Sequence, residues 1–362
     1  MALDTTERID SFRGSSECPA VGEQLRLVRE EAPRFRDAFS ATGMPEYVES
    51  FDLALVPYPT EFGFFRVKSR AAPLLTFTNR LLVVRWRDAS GGRKTLLWEP
   101  SDVALGRNTP FFAALSERTP GFLQGLGFKH FADPVDHLGR IGIDPGEVDY
   151  LAFDHLHTQD CRRLVGTNGP AADLSPSGPV APLFPRAKLI VQRAEWELVR
   201  SMHPWQARWY QAGTYSDLRD GAVQLIEGDV LLGPGVALLS TPGHSSGMMS
   251  LALRTSTGIW ASSENVIAVE MLTPEHSKIP GVRKSAAEWG VEVVLNGNTI
   301  EHTAQQYNSV IKEKSVVDRS AVDDRFLQFF PTSELTRNAL MFGTSPTFSV
   351  GHLLHGKLVR ES

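Results

Sequence analysis

Asp154-His155-Leu156-His157-Thr158-Gln159-Asp160 sets two imidazoles among carboxylates in one short stretch. It follows an apolar run, residues 148–153, that reads as a buried strand. Histidines at i and i+2 on a strand end point to the same side, so they converge on one cation if the chain stays extended between them. A third histidine stands far downstream in Thr241-Pro242-Gly243-His244-Ser245-Ser246-Gly247, again after an apolar run, residues 236–239. Imidazole is the commonest metal ligand. Three protein ligands with an open position describe a catalytic rather than a structural zinc-type site.

Around these stretches the pattern is layered. Upstream, apolar spacing at Leu25, Val28 and Phe35 predicts a helix over 21–39. Strands are predicted over 51–56, 81–86 and 94–98, the last two joined by a turn at Ala89-Ser90-Gly91-Gly92-Arg93. Residues 109–142 read as helix in pieces broken by Pro120, Pro134 and Gly139. Residues 166–186, rich in Gly, Pro and Ser, read as a loop. Then come a strand at 187–192, a helix at 193–202, and short strands at 223–226, 236–239, 250–254 and 258–262. A helix ends at Gly290, a strand is expected at 291–295 and a helix at 303–317. Beyond 318 the signals do not resolve into elements. Strands at both ends with helices between them predict an α/β layered domain.

Bulk properties bound the partners. A chain of 362 residues buries a large core. Lys and Arg number 37 against 42 Asp and Glu, a formal charge of −5. That balance argues against nucleic acid or an anionic membrane as the main partner. No apolar run is long enough to span a bilayer, and the polar start does not read as a secretory signal. Cys18 and Cys161 are too few for a disulfide framework and suit a reducing compartment, so a cytoplasmic protein acting on a small molecule is expected.

Four ordered patterns resemble the metallo-β-lactamase-fold hydrolases, in particular the lactonase-like branch. They are the His-x-His stretch at 155–160; the run Leu183-Phe184-Pro185-Arg186-Ala187-Lys188-Leu189-Ile190-Val191-Gln192 with Ala194-Glu195-Trp196-Glu197; Gly228-Asp229 and Pro234-Gly235 leading into Thr241-Pro242-Gly243-His244; and the strand, turn and helix over 291–317. The resemblance implies an α/β fold of the αββα sandwich type over residues 49–318, with a helical extension at 1–48 and a C-terminal extension, 319–362, packed on the same domain. It implies that His155, His157 and His244 form a first metal site.

The family motif is His-x-His-x-Asp-His, and this chain departs from it. Gln159 stands at the aspartate and Asp160 at the third histidine. The family's later bridging aspartate looks replaced by Glu264, and its last histidine by Asn298, with His302 the nearest imidazole. Asp160 and Glu264 are therefore expected as metal ligands and as the catalytic carboxylates. Gln159, Asn298 and His302 are candidates for a ligand or a supporting role, and Asp154 and Glu301 for fixing imidazole tautomers. Three nitrogen donors make zinc the first choice, while an oxygen-rich second site favours harder ions, so iron or manganese are the alternatives and one or two ions are held.

The chemistry so implied is hydrolysis of an ester, lactone or thioester by a metal-activated water. Two other outcomes are redox or non-hydrolytic chemistry at iron or manganese, and ligand binding without turnover. Trp205, Trp209 and Tyr210 crowd one segment and are expected to wall a substrate pocket or to form a homodimer contact. Tyr210 or Tyr215 is the candidate oxyanion donor.

Overall fold

The computed structural model of the chain describes residues 7–68, 73–118, 128–211, 213–297, 303–337 and 344–358. Two sheets face each other. The first runs Val223–Ile226, Lys188–Gln192, Tyr150–Ala152, Arg93–Trp98, Leu74–Arg87, Tyr47–Pro59 and Leu354–Gly356. Lys129–His130 and Ser333–Leu335 pair alongside it. The second runs Glu7–Arg8, Val230–Gly233, Val236–Ser240, Met249–Thr255, Gly258–Ser263 and Phe329–Pro331.

The long strand Leu74–Arg87 shows why the sheets stack. Its side chains alternate with period two. Leu82, Val84 and Trp86 join Trp98 and Ile190 in a core shared with Leu238, Leu251 and Leu253 of the other sheet. Leu81 and Val83 turn the opposite way, into the cluster that also holds Leu138 and Leu198. A strand covered on both faces reads as a nearly unbroken apolar run, as this one does. Helix Thr303–Val316 packs on Val21–Ala41 and on strand Gly258–Ser263, while Arg193–Arg200 packs on Lys188–Gln192 and Val223–Ile226. The layers are therefore helix, sheet, sheet, helix.

The predicted helix at 21–39 is present as Val21–Ala41, and the helix before Gly290 as Val282–Trp289, stopped by a left-handed Gly290 with φ 61°. The strand expected at 291–295 does not form. Val293, Val294 and Leu295 are buried, but the backbone there bonds to scattered partners, Val294 N–H to Met271 O at 2.8 Å, Phe65 N–H to Leu295 O at 2.9 Å and Asn296 N–H to Asn265 O at 3.0 Å. An apolar run of that length reports burial, and burial alone does not make a ladder. The terminal segments are built into the sheets. Glu7–Arg8 pairs with Val230–Gly233, and position 48 falls inside strand Tyr47–Pro59. The unassigned stretch beyond 318 supplies three strands, to both sheets.

Candidate metal centre

Strand Tyr150–Ala152 ends two residues before Asp154, so the first two histidines lie in the loop that follows it. A turn follows them at once. Thr158 has φ 62°, a left-handed value that a β-branched residue adopts only under constraint. Its N–H is held by Trp209 O at 2.7 Å. His244 sits on the other sheet's loop between two glycines that permit close approach. Gly243 has φ 128°, and a Cβ there would lie 2.2 Å from Gln306 N. A Cβ on Gly247 would lie 2.0 Å from Glu195 N.

The three rings meet. Centroids lie 4.3 Å apart for His155 and His157, 4.6 Å for His155 and His244, and 5.3 Å for His157 and His244. One nitrogen from each lies within 4.8 Å of the others. All three residues are buried. His155 Nε2, His157 Nδ1 and both nitrogens of His244 lack any hydrogen-bond partner. Buried polar atoms are otherwise almost always paired. Unpaired imidazole nitrogens converging in this way fit a divalent cation that takes nitrogen donors.

Asp154 organises the rings. Its Oδ1 accepts from His155 Nδ1 at 2.5 Å, which leaves Nε2 of that ring to face its neighbours. Its Oδ2 accepts from Glu264 N–H at 2.6 Å and Thr332 Oγ1 at 3.0 Å. Burial opposes charge on His155, but the Asp154 carboxylate draws its pKa up to about 9. Burial pushes His157 and His244 well below the ordinary range, so each presents a lone pair. Glu264 forms a second group with Asp154 and His155, again within 4.8 Å. Burial raises its pKa to about 7, against the pull of His155.

Two side chains that sequence reasoning gave no role hold this arrangement. Glu195, fully buried, accepts from Leu156 N–H at 2.9 Å, Tyr210 O–H at 2.9 Å and Ser245 Oγ at 2.6 Å. It thereby joins the loop of His155 and His157 to that of His244. Glu99 ends strand Arg93–Trp98 with φ 62°, and its Oε1 accepts from Asp154 N–H at 2.5 Å. Burial and the nearby Asp154 carboxylate push its pKa well up. A carboxylate directly after an apolar strand was the available signal.

A cleft of roughly 890 Å³, counted to its open mouth, leads to the histidines. Glu99, Asp154, His155, His157, Gln159, Glu264 and Ser333 line its floor, and Val56, Tyr58, Phe77, Phe112, Phe128 and Trp209 its walls. Of the expected aromatic wall, Trp209 is present, 6% exposed and against Phe111 with ring centroids 4.2 Å apart. Tyr210 is buried beneath, on Glu195. Trp205 is 67% exposed and lies off the cleft. Tyr215 is no oxyanion donor in this geometry, since its hydroxyl donates to Leu156 O at 3.1 Å and Gln159 O at 2.6 Å.

Asp160 is not brought to the histidines. Both of its oxygens face Arg162, with Nη2 at 2.7 Å and Nε at 3.0 Å. An adjacent cation, unweighed in the sequence reading, takes the carboxylate. Gln159 lines the cleft and donates to Ser101 Oγ at 3.0 Å. Asn298, Glu301 and His302 lie outside the described residues.

No family model matches the chain. Over 121 residues it is 31% identical to an N-acyl homoserine lactonase of Bacillus sp. and to N-acyl homoserine lactonase AiiA of Bacillus thuringiensis subsp. kurstaki. The match covers 33% of this chain and 39% of each relative's length. The chain thus spans about two fifths of the length of these curated relatives and is similar to them over that stretch. Among solved structures, AidC, a dizinc quorum-quenching lactonase in complex with a product, is 11% identical with a TM-score of 0.46, over 88% of this chain and 97% of that one. The hydrolase AbOPH of the beta lactamase superfamily is 12% identical with a TM-score of 0.45, over 87% and 96%.

Proposed function

We propose that this lactonase-like chain is a metallohydrolase that cleaves an ester-type bond in a small molecule. A lactone is the leading substrate class and zinc the leading ion. The observation that carries the reading is the meeting of His155, His157 and His244 in a buried cluster with unpaired nitrogens. The nitrogen-only donor set supports zinc over harder ions. The partial match to N-acyl homoserine lactonases makes an acylated lactone the first substrate to test. The apolar and aromatic walls of the cleft suit an acyl chain. Two free cysteines support a reducing compartment, the cytoplasm, and among the described residues no helix is long and apolar enough to cross a membrane.

In this reading the three histidines hold the ion. A divalent ion so held supplies Lewis acidity, lowering the pKa of water and polarising a carbonyl. Asp154 keeps His155 in the tautomer whose Nε2 is available. Glu264, with a pKa of about 7, is suited to exchange protons near neutrality. It accepts a proton from the attacking water as oxygen adds to the lactone carbonyl. It returns that proton to the ring oxygen as the carbon–oxygen bond breaks, which yields the open hydroxy acid. Trp209 and Phe112 shield the acyl chain from solvent while this happens.

The test is ring opening of N-hexanoyl-homoserine lactone by the zinc-loaded protein, followed by acid release. Turnover by the wild type that is lost in His157→Ala supports the reading. Wild-type protein that binds no metal and opens no lactone, ester or thioester overturns it.

A further inference from the structure

We infer that this centre takes one metal ion and not two. The inference rests on the metal reading above and concerns what the chain offers a second ion. A second ion needs ligands of its own, with negative charge to offset its own. Of the residues that stand at the motif's second-site positions, Glu264 alone among the described residues is left to serve.

Asp160 has a fully buried side chain, and Arg162 uses both of its oxygens. Oδ1 accepts from Arg162 N–H at 3.1 Å and Nε at 3.0 Å, and Oδ2 from Nε at 3.2 Å and Nη2 at 2.7 Å. The guanidinium then reaches Asp173 through two bonds of 2.8 Å. Recruiting Asp160 to an ion would break a bidentate pair of the strongest kind and leave Arg162 with a single exposed partner. The pair is also neutral as a unit, where a dication requires an anion.

Gln159 offers only a neutral amide oxygen, its nitrogen being spent on Ser101. Asp154 is committed on both sides, to His155 and to Glu264 N–H with Thr332. Glu264 remains, and its carboxylate lies beside His155, within the reach of the ion that the histidines hold. Among the described residues Glu264 is thus a single ligand, short of the three that hold a catalytic zinc. The first site is complete, while the second keeps one carboxylate among the described residues.

The test is stoichiometry on the full chain. Protein stripped with chelator, incubated with excess zinc and separated by gel filtration is measured for zinc per chain by plasma mass spectrometry. Cobalt(II) titration followed by its visible absorption gives an independent count. One zinc per chain, a single break at one equivalent of cobalt, and an unchanged count in Asp160→Asn support the inference. Two zinc ions per chain overturn it and leave the hydrolase reading standing. No zinc at all overturns both, so the two failures are distinguishable.

Discussion

Glu195 Oε2 accepts a hydrogen bond from Ser245 Oγ at 2.6 Å, one residue beyond His244, while Oε1 takes Leu156 N–H at 2.9 Å, between His155 and His157. One buried carboxylate thus sets the distance between two ligand loops that belong to different sheets. Glu195→Ala should lower stability by about 3 kcal/mol, because several buried donors lose their acceptor at once. Zinc binding should weaken with it, and Glu195→Gln should recover part of both. Melting curves with and without zinc check this. The rise in melting temperature caused by the ion should shrink in the alanine variant, and an undiminished rise would show that the loops meet without the clamp.

Asp154→Asn should weaken zinc binding by roughly ten- to a hundredfold, since an amide can present its hydrogen where the His155 N–H now donates and so misorient the ring. Competition against a chromogenic chelator measures it. Equal affinity in the variant would mean that packing alone orients the ring.

The aromatic segment divides into a wall and a surface. Trp209→Ala should reduce kcat/KM roughly tenfold for long acyl chains, with the loss mostly in KM. Trp205→Ala should change neither constant, because that ring stands in solvent. A series of acyl lengths run on both variants separates the two, and equal effects would move the acyl site elsewhere.

Glu313 lies on helix Thr303–Val316, behind the loop of Glu264. Its Oε1 accepts from Ser250 Oγ at 2.5 Å, Ser263 Oγ at 2.7 Å and Asn265 Nδ2 at 3.0 Å, while Oε2 has no partner. Burial raises its pKa from 4.5 to about 7. A carboxyl raised on folding binds its proton in the native chain after the unfolded chain has released it. Its contribution to stability is therefore full below pH 4.5 and is lost as pH rises through about 7, on the order of 3 kcal/mol. Glu313→Gln should flatten that slope and stabilise the protein at pH 8. Urea unfolding at pH 5 and pH 8 reads the difference, and parallel curves for the two proteins would remove Glu313 from the account.

The part of this molecule legible in sequence is the part set by local chemistry. Apolar periodicity gave the helix Val21–Ala41 and most strands of the layered core. Imidazoles after apolar runs gave the three rings that meet. What the sequence hid depends on partners distant along the chain. Asp160 looks like a free carboxylate until Arg162 is seen to occupy both oxygens. Glu195 looks like one more charge on an exposed helix until its burial beneath two loops is known. Residues 291–295 have strand composition, but their backbone bonds go to separate segments and not to one partner strand, and strand pairing is not a property of one segment. The strands beyond 318 were illegible for the opposite reason: each is only three residues long, too short for a period to register.

The run from Phe329 to Leu335 passes from one sheet to the other, pairing with Gly258–Ser263 on one side and Leu74–Arg87 on the other, and delivers Thr332 to Asp154 on the way. During synthesis all three imidazoles leave the ribosome before this stitch exists. A nascent chain halted ahead of residue 329 carries all three imidazoles but lacks Thr332, whose hydroxyl donates to the Asp154 carboxylate behind His155. The support behind the first imidazole is thus finished by one of the last segments of the chain to be made.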